Sequence, residues 1–244
     1  MIKYFKNKDD AQKYSYNYSK KILLTCPDCG RDKLISPHTL QKCGFGCICG
    51  DGISYPEKFL YNILEQLDVV FEYQKTFDWS KNTTKGSKLY DFYIPSKNLI
   101  IETHGAQHYK RAFGDTISRA RTFEQELEND LFKKNLAFEN NINNYIELNC
   151  SVSDCNYIYN SIVHSNLLNI LEKEESNINI VDADMFASKN LIKFCGELWS
   201  SGLNTSDIAK RLKIHKATVY KYLQKADKFG WCAYKNKKGG NKYE

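Results

Sequence analysis

Residues Asp91 to His108 read D-F-Y-I-P-S-K-N-L-I-I-E-T-H-G-A-Q-H. The stretch holds two short apolar runs, Leu89 to Ile94 and Leu99 to Thr103, rich in the β-branched and aromatic residues that favour strands. Pro95-Ser96-Lys97-Asn98 between them is turn chemistry. A hairpin with that connection sets Asp91 and Glu102 side by side on neighbouring strands. Two carboxylates at one edge of a sheet repel each other unless a cation lies between them. Hard oxygen ligands of this kind suit Mg²⁺, which keeps most of its waters for a phosphate or a nucleophile.

Working outward, Tyr55 to Leu67 predicts an amphipathic helix. Pro56 falls in its first turn, and Phe59, Leu60, Ile63, Leu64 and Leu67 make the apolar stripe. Glu57 in that first turn either favours the helix dipole or points at the acid pair across the site. Val69 to Phe77 predicts a strand. Downstream, a helix is expected from about Thr116 to Asn140, with Phe123, Leu127 and Leu131 as its apolar spacing. Asp130 and Lys133 on it are read as a solvated face, with a pair near the site as the alternative. Tyr145 to Leu148 predicts a further strand, and Asp154 to Leu171 one more helix. The expected order is helix, three strands, helix, strand.

The phrase Y-D-F-Y-I-P-x(4)-L-I-I-E-T-H-G-A-Q-H-Y, set in that order, resembles the PD-(D/E)xK nuclease superfamily. More narrowly, it is similar to the branch of very-short-patch-repair endonucleases and phage homing endonucleases, whose pattern is D…E-x-D-G-x-Q-H with an upstream helical Glu. Asp91, Glu102, Gly105, Gln107, His108 and Glu57 match it. His104 departs from it, standing where the branch has Asp and the wider fold has Lys, so its role as base, ligand or neither stays open. The resemblance covers roughly residues 55–150. It implies an α/β (α+β) fold with a restriction-endonuclease-like αβββαβ core. It also implies Mg²⁺-dependent hydrolysis of phosphodiesters. Asp91 and Glu102 would hold the ion, His108 or His104 would move the proton, Glu57 would orient water and Gln107 would bond a phosphate oxygen.

Five of the nine cysteines fall between Cys26 and Cys49. In a reducing compartment that crowding points to metal in place of disulfides. Cys26-Pro-Asp-Cys29-Gly30 has knuckle spacing, and Cys47 with Cys49 supplies a second pair. Cys43 is the alternative to Cys47. Four thiolates around Zn²⁺ would close a structural site for a segment with few large apolar side chains. The arrangement resembles a treble-clef or ribbon finger, departing in the single residue between Cys47 and Cys49.

Toward the C-terminus, Met185 to Trp199 predicts a helix. Asn204 is the expected N-cap of Thr205 to Leu212, and Lys216 to Phe229 is the next helix. Ala209, Lys213 and Val219 have helix-turn-helix spacing, with Lys213 where the turn Gly usually stands. The pattern resembles the resolvase-like or sigma-like motif. That implies double-stranded DNA as partner, with Lys216, Thr218, Tyr220 and Lys221 near the major groove and Lys225 and Lys228 on phosphates. Lys235, Lys237 and Lys238 would form a basic tail.

The formal net charge is +6, with Lys and Arg in excess at both ends and acids in excess between them. Basic ends fit a polyanion, and an acidic centre fits a cation site. No apolar run approaches a membrane span and Met1-Ile2-Lys3-Tyr4 does not begin a signal peptide, so a cytoplasmic protein with no membrane partner is expected. The expected division is an arm and finger (1–52), a nuclease-like core (53–172), a linker (173–181) and a helix-turn-helix module (182–244). These readings converge on a DNA endonuclease of homing, mobile-element or phage type, a homodimer if it cuts both strands. A restriction or defence nuclease, an RNA-cleaving enzyme or a non-catalytic DNA-binding regulator are the alternatives.

Overall fold

The computed structural model describes residues 1–50, 52–109, 122–189 and 191–235. The chain is mixed α/β and its contacts fall into two units, Met1–Ile53 with Ser188–Glu244, and Ser54–Ala187. No described helix is long and apolar enough to cross a membrane.

After two short 3-10 segments, Ile2–Tyr4 and Lys8–Lys13, the first unit has a two-stranded antiparallel sheet, β1 (Ile22–Thr25) and β2 (Asp32–Ile35), followed by α1 (Pro37–Cys43). Ser36 caps α1 and Pro37 occupies its first position, where no amide hydrogen is needed. Its remaining helices are α7 (Leu191–Ser200), α8 (Thr205–Leu212) and α9 (Lys216–Lys228). Cys195, Leu198, Ile208, Val219, Leu223 and Tyr234 bury one another among these three. The Asn204 side chain accepts from the Ser206 and Asp207 amides, as an N-cap should. Lys213 adopts φ +55°, ψ +41°, the left-handed conformation that ends a helix, so the departure from Gly leaves the turn intact.

The second unit carries α2 (Tyr55–Gln66), β3 (Glu72–Lys75), β4 (Tyr90–Ile94), β5 (Leu99–His104), α3 (Phe123–Glu139) and β6 (Asn144–Asn149). Then follow α4 (Cys155–Val163), α5 (Leu167–Leu171) and α6 (Ile180–Ser188). The sheet order is β3-β4-β5-β6, antiparallel except for the parallel pair β5 and β6. In the hairpin, Phe92 faces Ile101 and Ile94 faces Leu99, with Asn98 left-handed in the turn. Phe92, Ile94, Leu99 and Ile101 pack with the stripe of α2 and with Leu148, Ile158 and Ile162, and all of these are fully buried except Leu67 at the end of the stripe. Tyr90, Ile100, Ala137 and Ile142 form a smaller cluster. Tyr55 donates a 2.6 Å hydrogen bond to Asp184, tying α2 to α6.

Several elements differ from the sequence reading, each for a local reason. Asp154 to Leu171 is two helices, because the Ser165 hydroxyl donates to the Ile162 carbonyl and accepts from the Leu167 amide. The single helix expected over Met185 to Trp199 is also two. Ala183 and Ala187 of α6 join the core of the second unit, while Cys195 and Leu198 of α7 join that of the first, so one apolar run serves two cores. The part of the expected Thr116–Asn140 helix before Thr122 lies outside the described residues, as do Lys237 and Lys238.

The apolar stripe expected on α3 is reversed. Leu127 and Leu131 are 46% and 59% exposed, whereas Asn129 and Ala137 are buried. The reason is the neighbour: the first part of this helix covers a polar cavity and turns Asn129, Asp130 and Lys133 toward it, while Ala137 beyond them meets the small apolar cluster.

Candidate active site and cysteine cluster

A cavity of about 620 Å³ opens in the second unit, lined among others by Glu57, Asp91, Glu102, Gln107, His108, Asp130 and Lys133. Asp91 and Glu102 therefore share one cavity, Asp91 from β4 and Glu102 from the strand paired with it. The Oδ2 of Asp91 accepts from both the amide and the hydroxyl of Thr103, at 2.8 and 2.7 Å. Burial pushes its carboxyl above the usual range, against the Thr103 bonds, and the charge of Glu57 adds to the rise.

Glu102 is 5% exposed. Burial raises its carboxyl to about 8, against the pull of the Lys133 ammonium, and the Asp91 charge pushes the same way as burial. Lys133 lies 2.8 Å from Oε2 and 2.7 Å from Oε1. The second contact lacks hydrogen-bond geometry, so Oε1 is a buried oxygen with no directed donor. Burying an unsatisfied carboxylate oxygen is costly. Asp91 lines the same cavity, and carboxylate oxygens are the kind of ligand that hard divalent cations take.

Glu57 does two jobs. Its Oε2 accepts from the Ser54 amide while Ser54 Oγ accepts from the Glu57 amide, closing a capping box, and its Oε1 accepts from the Tyr73 hydroxyl at 2.9 Å.

His108 and Asp130 form a pair, with Nδ1 2.5 Å from Oδ2 and both side chains largely buried. A carboxylate only accepts, so Nδ1 carries the proton of this bond and Nε2 is left for other partners. Burial works to raise the Asp130 carboxyl, but the hydrogen bond and charge of His108 outweigh it and hold it low. His104 stacks on His108, ring centroids 4.3 Å apart and 7° from parallel. Its side chain is buried and is not among those lining the cavity. Burial, then the charge of His108, depresses its imidazolium. Nitrogens of His104 and His108 and a carboxylate oxygen of Asp130 lie within 4.8 Å of one another. Parallel rings, however, send their in-plane lone pairs side by side instead of onto one point.

Asp130 and Lys133 are thus not on a solvated face, as the sequence had suggested. The signal was their spacing: Glu126, the pair Asn129 and Asp130, Lys133 and Ala137 recur every three or four residues along one side of a helix. Thr103 and Tyr73 had no signal outside the fold.

In the first unit, the Sγ atoms of Cys26, Cys29, Cys47 and Cys49 lie within 4.8 Å of one another and could hold a metal ion such as zinc. Cys26 and Cys49 are 3.5 Å apart, Cys29 and Cys47 3.3 Å. Sulfurs bound at about 2.3 Å around one tetrahedral ion would be about 3.8 Å apart, so the cluster is near that size. The β1–β2 hairpin sets the first pair, where the Cys26 amide donates to the Arg31 carbonyl and Gly30 turns at φ +76°. Cys43, the expected alternative, ends α1 exposed and outside the group, and His38 is outside it too. Hydrogen bonds from Cys49 above all draw the Cys47 thiol below its ordinary range.

On α9, Val219, Leu223 and Ala226 face inward. Lys216, Tyr220, Lys221 and Lys228 are exposed, and Thr218 and Lys225 half-buried. No protein-family model, no curated protein and no solved structure matches this chain.

Proposed function

We propose that the chain is a Mg²⁺-dependent DNA endonuclease of the PD-(D/E)xK kind. The observation that carries this reading is the convergence of Glu57, Asp91, Glu102, His108, Asp130 and Lys133 on one cavity. The helix, three strands, helix, strand order and the Asp91–His108 phrase support the same family.

Asp91 and Glu102 would hold the ion, which when bound supplies Lewis-acid stabilisation of charge on the phosphoryl oxygens. Asp130 fixes the tautomer of His108, so that Nε2 can take the proton of an attacking water. The water oxygen bonds to phosphorus, the bond to the leaving 3′ oxygen breaks, and that oxygen takes a proton from solvent. His104 holds the His108 ring plane by stacking. Glu57, through Tyr73 and its place opposite Asp91, orients the second wall of the cavity.

The four thiols would bind structural Zn²⁺, and α8 with α9 would read DNA as a helix-turn-helix, Lys221 and Lys228 standing opposite the buried face. Asp91→Ala and Glu102→Ala are expected to abolish nicking of plasmid DNA in Mg²⁺ while leaving gel-shift affinity unchanged. Undiminished cleavage by both variants would remove the assignment.

A further inference from the structure

We propose that Lys133 is a built-in counter-ion of Glu102 that a divalent metal must displace, so that this lysine sets the metal affinity of the site. The inference rests on Glu102 being a metal ligand, as argued above.

The Lys133 ammonium reaches both oxygens of Glu102, at 2.7 and 2.8 Å, and occupies the side from which a cation would approach. A carboxylate this buried needs a positive partner whenever no metal is present. The hold is incomplete, because Oε1 receives no directed bond. The backbone at Lys133 is anchored, since the Tyr90 hydroxyl donates to the Lys133 main-chain carbonyl at 3.0 Å, while the side chain beyond it is free to turn. In the same position the ammonium lies 5.0 Å from the centre of the Tyr90 ring, whose face favours a cation whether or not Glu102 holds it. Lys133 also lines the cavity, so an ammonium released from Glu102 stays where a phosphate must bind. Entry of the ion and release of the ammonium are then one exchange, and the site keeps a cation on Glu102 in both states.

A control stands beside it. Lys134 pairs at 2.6 Å with Glu147, the residue opposite Glu102 on β6, in a pair about one-third exposed. It has the same charge on the same helix, but Glu147 and Lys134 do not line the cavity.

Mn²⁺ binding to the full chain, measured by calorimetry without DNA, tests the exchange. Lys133→Gln should bind Mn²⁺ roughly tenfold more tightly than wild type, since a unit charge within contact distance is removed. Lys133→Arg and Lys134→Gln should bind within about twofold of wild type, and Glu102→Gln should lose the site. Unchanged or weaker binding by Lys133→Gln overturns the proposal.

If Lys133→Gln does not fold, lysine-ammonium NMR of wild type asks the same question. The Lys133 signal should move on adding Mg²⁺, and a signal that stays put overturns the proposal. The two readings separate cleanly. The Mn²⁺ pattern without plasmid cleavage upholds the exchange and removes the nuclease. Cleavage that needs Glu102, with Mn²⁺ affinity indifferent to Lys133, does the reverse. Wild-type protein with no Mn²⁺ site dependent on Glu102 sinks both.

Discussion

His104 and His108 are four residues apart, stacked face to face, yet only His108 lines the cavity. That difference has a pH signature. The folded chain depresses the His104 imidazolium, by burial first and the charge of His108 second. The unfolded chain takes up that proton near its ordinary pKa of about 6.5. Below that pH the unfolded state binds more protons, so stability is fully present above about 6.5 and is lost as pH falls. The raised carboxyls of Glu102 and Asp91 act the other way over this range, so the comparison is between proteins: from pH 7.5 to 5.5, urea unfolding should show wild type losing stability relative to His104→Phe, which keeps a ring to stack. An equal pH dependence in both proteins would contradict it. Residues of this kind differed in how far the sequence revealed them. Asp91 and Glu102 stood out because a carboxylate beside Phe92 or Ile101 has no cheap place to go. Asp130 and Lys133 did not, because a charged residue on a helix is ordinarily solvated, and only the strand beneath shows otherwise.

α3 shows the same contrast at the level of the element. Its leucines at helical spacing suggested a core-facing stripe, yet Leu131 is among the more exposed apolar side chains. Periodicity locates a face but does not say which face the fold covers, and here the covered side meets a cavity full of charge. The expected cost of substitution follows the structure and not the hydropathy. Leu131→Gln should change unfolding free energy by no more than about 0.5 kcal/mol. Ala137→Leu, forced against Tyr90, Ile100 and Ile142, should destabilise by about 1–3 kcal/mol. Chemical denaturation of the two variants decides the matter; the opposite ranking would mean that the helix is turned over. α2 and the β4–β5 hairpin were legible because their apolar stripes do face a core, and the turn chemistry of Pro95 to Asn98 fixed their register.

At the scale of the whole molecule, the cysteine-bearing segment and the second unit rest on different physics. Ser54–Ala187 has a continuous apolar core, whereas β1, β2 and α1 bury few large side chains around four thiols. Chelation should therefore act on one and spare the other. In hydrogen exchange of the full chain, peptides covering residues 22–49 should lose protection after a zinc chelator is added, while those of β4 and β5 keep theirs. Equal loss in both would show that the thiols hold more than their own segment. The pairing of β5 with β6 carries a different consequence. It is parallel, joined through α3, and places Ile101 beside Ile146 and His104 beside Asn149. During synthesis, the hairpin bearing both acids leaves the ribosome well before the strand that braces it. A chain still emerging has both carboxylates but no finished cleft, so whatever the cavity binds could be held only once the translated length extends past residue 149.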